Sequence, residues 1–251
     1  MNLLPKVTLL IAVSLAVGCA NLEQDSDWTA EELHVEARKH LNAKDWERAI
    51  EYYYRLEQRY PYGKHAEQSQ LELIYAYYSD NKFELAISTA NDFIRIYPTH
   101  SRVDYAHYLR ALAMFDASTS LIDRLTRANP VKRDTSPAKE SFKAFQELVT
   151  QFPKSTYVAA AQRRMSEILD VIAEHEINVS HYYLRKGAHV AALARAKYVI
   201  ENYPEASTIE DALEIMLSVY KKMNFKNLYD DTMRVLEQNF PNRGYLLLNT
   251  K

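Results

Sequence analysis

The chain of 251 residues holds a single cysteine, Cys19, and only four glycines. One cysteine rules out an internal disulfide framework and leaves no thiolate set for a structural zinc. With Gly18 in a segment set aside below, a glycine-rich phosphate cradle or the tight strand-to-helix turns of nucleotide-binding folds have almost no material. No excess of either charge is present: 31 Lys and Arg stand against 33 Asp and Glu, so the footprint of a nucleic-acid binder is missing. Eight histidines are scattered, and no two fall at the i, i+4 spacing of a helical zinc site. Acidic neighbours such as Glu31-Glu32 and Asp230-Asp231 point about 100° apart on a helix and cannot share a proton in one pocket. No serine stands in a Gly-x-Ser-x-Gly elbow. Neither metal, acid-base nor nucleophilic catalysis has visible equipment, so no enzyme is expected and no cofactor.

What is present favours helices. Of the residues, 47% are apolar and 25% charged, enough for a real core, and 19 tyrosines accompany abundant Ala, Leu, Glu and Lys. An all-α fold is expected. Residues 1–18 stand apart: Lys6 is the only charge, Val7 to Val17 is an apolar run of eleven, and Gly18-Cys19 closes it. That is the layout of a secretory signal, too short for a spanning helix of about 20 residues. Ala16-Val17-Gly18-Cys19 resembles the bacterial lipobox, with Ala16 where Leu is usual. The resemblance implies cleavage before Cys19, which would carry an S-diacylglycerol and an N-palmitoyl chain. Each buried CH₂ of such chains adds about 0.8 kcal/mol of membrane affinity. Ala20, where an inner-membrane retention signal has Asp, implies the outer membrane, with the protein facing the periplasm.

Five aromatic-proline pairs punctuate the remainder: Tyr60-Pro61, Tyr97-Pro98, Phe152-Pro153, Tyr203-Pro204 and Phe240-Pro241, with proline spacings of 37, 55, 51 and 37. Proline stops a helix and pushes its predecessor to extended geometry, so each pair marks a helix end. Thr99 and Ser101, Ser155 and Thr156, and Ser207 and Thr208 follow as N-cap candidates. Within the units, Ala37, Trp46, Ala49, Tyr53 and Pro61 resemble the tetratricopeptide repeat of about 34 residues, as do Phe83, Ala86 and Pro98, then Gly187, Ala192 and Pro204. Small residues recur because two helices otherwise cannot approach to about 8–10 Å. The expected fold is a tetratricopeptide-repeat solenoid of about five helical hairpins over 29–241, preceded by a lipidated linker at 19–28 and followed by a tail at 242–251. An insert near 116–136, with Arg124, Arg127, Lys132 and Arg133, reads as a basic loop between helices at about 103–117 and 137–151. Residues 157–186 contain no Pro or Gly and read as one long or barely broken helix.

A solenoid of helix pairs presents a concave face made chiefly by the first helix of each pair. In the second pair, Leu71, Ile74, Tyr75 and Tyr78 form one helical stripe, while Leu73 and Tyr77 form another. Leu73, Ile74 and Tyr77 are expected in the core. For Tyr75 and Tyr78 a groove position is preferred, because a phenol needs a partner when buried and serves recognition when not. Arg38 and Leu41 of the first pair are expected opposite them.

The strings Arg59-Tyr60-Pro61-Tyr62-Gly63, Leu71-Glu72-Leu73-Ile74-Tyr75-Ala76-Tyr77-Tyr78 and Phe93-Ile94-Arg95-Ile96-Tyr97-Pro98-Thr99-His100 are similar to those of the BamD family of outer-membrane assembly lipoproteins, also called ComL or YfiO. The likeness continues through Phe142 to Tyr157 and Tyr182-Tyr183 to Arg195. Departures are Ala111 for Gly, Ser101 for Pro and Ala194 for Asn. The resemblance implies a non-enzymatic scaffold of the β-barrel assembly (BAM) complex. Its first repeats would take the C-terminal targeting segment of an unfolded outer-membrane protein at Tyr62, Gly63, Leu71, Tyr75 and Tyr78. Its last repeats would dock the periplasmic domains of the barrel subunit BamA through Arg195, with accessory BAM lipoproteins alongside and the lipid anchor in the inner leaflet of the outer membrane. For Arg195, an exposed arginine with a surface ion pair is the competing reading. For the whole chain, the alternative is another repeat lipoprotein coordinating cell-wall synthesis or division; a wall-cleaving enzyme would need a lysozyme-like domain that the 233 residues after the signal leave no room for.

Overall fold

A computed structural model of the chain describes residues 27–125 and 134–241. The signal segment, Cys19 and the tail at 242–251 lie outside them, as do Arg127, Lys132 and Arg133. Among the described residues every regular element is a helix: α1 (Ala30–Asn42), α2 (Trp46–Arg59), α3 (Lys64–Ser79), α4 (Phe83–Ile96), α5 (Val103–Leu125), α6 (Ser136–Gln151), α7 (Val158–Arg185), α8 (His189–Asn202), α9 (Ile209–Lys222) and α10 (Lys226–Asn239). They follow the repeat order of an all-α tetratricopeptide fold. The chain divides into two compact units, up to Asp80 and from Asn81. In the first, α1 packs on both α2 and α3, and α2 on α3; in the second, each helix from α4 packs on its successor, and α9 also meets α7.

The helix ends show why the pattern was periodic. Tyr60, Tyr97, Phe152, Tyr203 and Phe240, each followed by proline, close α2, α4, α6, α8 and α10 with nearly one geometry, φ from −122° to −134° and ψ from 56° to 67°. The amide of each still donates to the carbonyl four residues back, at 2.8 or 2.9 Å. The next residue, a proline, has no amide to continue the ladder. At the other end of the hairpins the device is different. After α1, α3, α7 and α9 the chain turns on Lys44 (φ 59°), Asn81 (φ 57°), Gly187 (φ 74°) and Asn224 (φ 60°). Asp45, Ala188 and Phe225 then donate their amides back to His40, Tyr183 and Tyr220 carbonyls at 2.9–3.0 Å, the closure of a left-handed helix C-terminus.

The small positions are packed as expected: Ala37, Ala49, Ala86 and Ala192 are fully buried, and so is Tyr53. Leu73 and Ile74 are core, and Tyr77 packs partly buried against the cluster of Ala37, Ala49, Tyr53 and Leu73. The long helix is real, α7 running 28 residues.

Two expectations need correction. The segment after Phe115 is helical to Leu125 and so is not part of a loop, because nothing from Asp116 to Leu125 is a proline or glycine to stop the helix. Two of the hydroxyls expected as N-caps, Ser155 and Thr208, do not cap a helix through their side chains. Tyr157, not Ser155 or Thr156, precedes α7, and Ser155 Oγ donates to Asp104 Oδ2 at 2.6 Å. Thr208 precedes α9 but its buried hydroxyl bonds no helix amide. A reciprocal side-chain cap is found at α1, where the Glu32 amide donates to Thr29 Oγ1 (3.3 Å) and the Thr29 amide to Glu32 Oε2 (2.8 Å). Thr29 followed three residues on by Glu32 carries that signature in the sequence.

A non-glycine residue at positive φ costs about 1 kcal/mol, and a Cβ built on Gly187 meets no atom within 4 Å. Gly187→Ala is therefore expected to lower stability by about 1 kcal/mol, and Lys44→Gly to raise it by about 0.5–1 kcal/mol, in denaturant unfolding followed by circular dichroism.

Candidate functional site

The first unit is organised around Glu72, a carboxylate in an otherwise apolar stretch of α3. Glu72 Oε2 accepts from His34 Nε2 at 2.9 Å and from the Tyr53 hydroxyl at 2.8 Å, and Oε1 accepts from Gln68 Nε2 at 2.7 Å. Arg38 Nε lies 3.5 Å from Oε1, with its side chain more than half exposed. Burial by itself would push the Glu72 carboxyl up; the donors His34, Gln68 and Tyr53 outweigh it and hold the group below the ordinary carboxylate range. Burial, then the charge of Glu72, push the Tyr53 phenol far above its ordinary value, so it remains a donor. Three elements thereby converge on one anion: α1 through His34 and Arg38, α2 through Tyr53, and α3 itself.

Around this core the side chains proposed from sequence fall into two places. Tyr75 is one helical turn beyond Glu72 on α3, 37% exposed, with its ring edge-on to Trp46 at 6.0 Å between centroids. Leu41, one turn beyond Arg38 on α1, is partly buried against the Ala37–Ala49–Tyr53–Leu73 cluster. Two pairs, Arg38 on Glu72 and Tyr75 on Trp46, are thus joined through adjacent turns of α3. Tyr78 is partly buried on the last turn of α3. Tyr62, at 87% exposure, and Gly63, at φ 100°, precede the first turn of α3 instead. At 1.5 Å per residue, Tyr75 lies roughly 17 Å further along that helix. Leu71 departs from expectation: it is fully buried, so it belongs to the core and offers nothing to a groove. The stripe it shares with Tyr75 turns inward at its aliphatic members and outward at the phenol, whose hydroxyl favours the margin.

Sequence reading missed Glu72 and His34. The signal available was an acid between Leu71 and Leu73, where burial of an unpaired charge would be costly. In the second unit, Arg195 Nη1 lies 2.9 Å from Glu176 Oε2, with Glu176 almost fully buried and Arg195 nearly half exposed. Truncating Arg195 would strand a buried carboxylate, so its role exceeds that of an exposed surface pair.

The family model YfiO, described as an outer membrane lipoprotein, matches residues 26–236. The chain belongs to this family. Similar proteins include three named outer membrane protein assembly factor BamD. That of Neisseria meningitidis serogroup B is 38% identical over 96% of this chain and 93% of its own length. That of Xylella fastidiosa is 33% identical over 95% and 82%, and that of Vibrio cholerae 32% identical over 92% and 96%. The YfiO match begins one residue before the described N-terminal segment, in which Trp28 stacks on Tyr52 at 5.8 Å and the Tyr60 hydroxyl donates to the Trp28 carbonyl at 3.0 Å. No described helix is long and apolar enough to cross a membrane.

Because the folded-state value of Glu72 is depressed, its contribution to stability is present above about pH 4.5 and is lost as pH falls through the lower folded value. Glu72→Gln is expected to cost about 1–3 kcal/mol at pH 7 and to flatten the acid limb of stability below pH 4.5, read by amide exchange in α1 and α3. An unchanged acid limb would contradict the arrangement described.

Proposed function

We propose that this chain is a non-enzymatic scaffold for outer-membrane protein assembly, and that its first unit binds the C-terminal targeting segment of unfolded barrel proteins. The observation that carries the reading is the partly exposed Tyr75 ring, braced by Trp46 and one helical turn along α3 from Glu72, which pairs with Arg38, on a chain whose relatives are named assembly factors. A targeting segment of a barrel strand is extended, alternates apolar residues and ends in an aromatic residue and a carboxylate. Aromatic rings answer the first need at small entropic cost, and a half-exposed guanidinium answers the carboxylate. Tyr78, and at the far end of α3 Tyr62 with Gly63, would extend the contact along the helix; Leu71 supports it from the core.

The second unit docks BamA in this reading through Arg195, whose Glu176 partner holds it toward solvent, with accessory BAM lipoproteins alongside. Cys19, as an acylated N-terminus, would hold the assembly at the periplasmic face of the outer membrane, two or more chains giving stable anchoring where one gives only marginal binding.

A fluorescent peptide of alternating apolar residues with a terminal phenylalanine is expected to bind the purified protein. Tyr75→Ala combined with Tyr78→Ala weakens it by about tenfold or more, while circular dichroism stays unchanged. Equal affinity for the double variant would refute the site. In cells, Cys19→Ser is expected to abolish incorporation of labelled palmitate and release the protein from the membrane fraction. Arg195→Ala is expected to lose co-purification of BamA while the first unit still binds the peptide. Recovery of cell-wall synthases in place of BamA with the unaltered protein would instead favour a division role.

A further inference from the structure

The last four helices of the second unit pack in succession, α7 on α8, α8 on α9 and α9 on α10, and α9 also meets α7. The connections at 186–188 and 223–225 are three residues long, so both pairs are hairpins whose turns lie at one edge, with the connection at 203–208 at the opposite one. Charge is sorted between these edges. Arg185, Lys186, Lys221, Lys222 and Lys226 stand in or beside the two turns, all exposed. No Asp or Glu occurs between Glu176 and Glu201, or between Glu214 and Asp230. Glu201, Glu205, Glu210 and Asp211 lie around the opposite connection instead. At 1.5 Å per residue, Asp230 is about 6 Å below the cationic edge along α10, and Glu176 about 14 Å below it along α7. Among the described residues none of the five cations has an ion-pair partner; Lys186 Nζ lies over the Tyr182 ring, 5.8 Å from its centroid.

Helix physics accounts for part of this. Arg185, Lys221 and Lys222 fall in the last turns of α7 and α9, where the helix dipole favours cations. It does not account for Lys226, which opens α10, where the dipole opposes a cation. Nor does it explain why α8 and α10, the two helices that start at this edge, have no acid in the first turn. Large apolar side chains project from the same edge: Val190 in the first turn of α8 is 67% exposed, and Phe225 and Leu228, where α10 begins, are 44% and 46% exposed.

An acidic protein face or an anionic bilayer would each cover such an edge, and its composition separates the two. Protein interfaces are enriched in Arg and depleted of Lys, around a contiguous apolar core. Here four of the five cations are lysines, and the apolar side chains stand apart among them. Lysine stems lie along apolar surface while their ammonium groups stay at headgroup level, and an aromatic or aliphatic side chain between them enters the boundary with the acyl chains.

We propose that the α7–α8 and α9–α10 turns form an edge that rests on an anionic phospholipid surface, the lysines meeting headgroup phosphates while Val190, Phe225 and Leu228 enter the interfacial layer. The inference does not rest on acylation of Cys19. Such an edge by itself binds weakly and reversibly, so a chain lacking its acyl groups still leaves the membrane fraction.

The test places the full lipidated chain in vesicles of phosphatidylcholine, with or without phosphatidylglycerol, that carry a nitroxide on some headgroups. A fluorescent residue is set at Asn227 and, in a second sample, at Glu205 of the opposite edge. Quenching at position 227 is expected to rise about threefold or more with phosphatidylglycerol and to fall back at high salt, while position 205 does not respond. Lys221→Ala with Lys222→Ala is expected to lower the ratio of docked to undocked chain by about tenfold, with the helical content retained. Phe225→Ser lowers it by about threefold or more. Equal quenching at 227 in the two kinds of vesicle, or equal quenching at 227 and 205, overturns the proposal. A chain that leaves phosphatidylcholine vesicles contradicts acylation of Cys19, and the edge is then read by sedimentation with phosphatidylglycerol vesicles. Salt-sensitive binding that the lysine variant loses supports the proposal, and no binding overturns it. In cells, a photo-cross-linker at Asn227 is expected to yield phospholipid adducts; adducts to protein alone overturn the proposal in favour of an acidic protein partner.

Discussion

A helix cannot pass a proline without losing a hydrogen bond and meeting a steric clash, and this chain uses that constraint five times. Each aromatic residue before a proline keeps its own amide bonded to the carbonyl four residues back and then leaves the helix in one conformation. Fully buried alanines such as Ala49, Ala86 and Ala192 then let successive helices close up. The rest of the architecture, including which faces of α1 and α3 look outward, follows from where those stops fall. The opposite turns need only one residue in the left-handed region, a role shared by Lys44, Asn81, Gly187 and Asn224.

Within the first unit, Glu72 converts this packing into a surface with defined chemistry. Four donor groups from three helices meet its carboxylate, and the most exposed of them, Arg38, is held in place by the pair while the Tyr75 ring is held by Trp46. Side chains fixed before a ligand arrives lose less entropy on binding. A half-satisfied network would have the opposite effect, since a buried carboxylate without donors destabilises the unit that carries it. The second unit repeats the theme with buried Glu176 and half-exposed Arg195.

The helical repeat was legible because its determinants are local: proline stops, recurring alanines, and the absence of Pro and Gly from Val158 to Arg185. Fully local signals were misread where a tertiary partner outbid them. Ser155 looked like a cap, yet its hydroxyl goes to Asp104, 51 residues away in sequence. The helix after Phe115 runs on to Leu125 because no residue there breaks it, although its polar composition resembles that of a loop. The site was legible in part. Tyr75 was placed at the surface by the polarity of its phenol, whereas Leu71, in the same stripe, went to the core. Glu72 was invisible as a hub, because its four donors come from His34, Arg38, Tyr53 and Gln68, and only the fold brings those positions together.

The central claim is that the Tyr75 face of the first unit meets unfolded barrel proteins. In-cell photo-cross-linking with the probe at Tyr75, compared with the probe at the exposed Tyr54 of α2, tests it most directly. The account predicts adducts to newly secreted barrel precursors, through their C-terminal segments, from position 75 and not from position 54. Precursor adducts from position 54 with none from position 75 would contradict it.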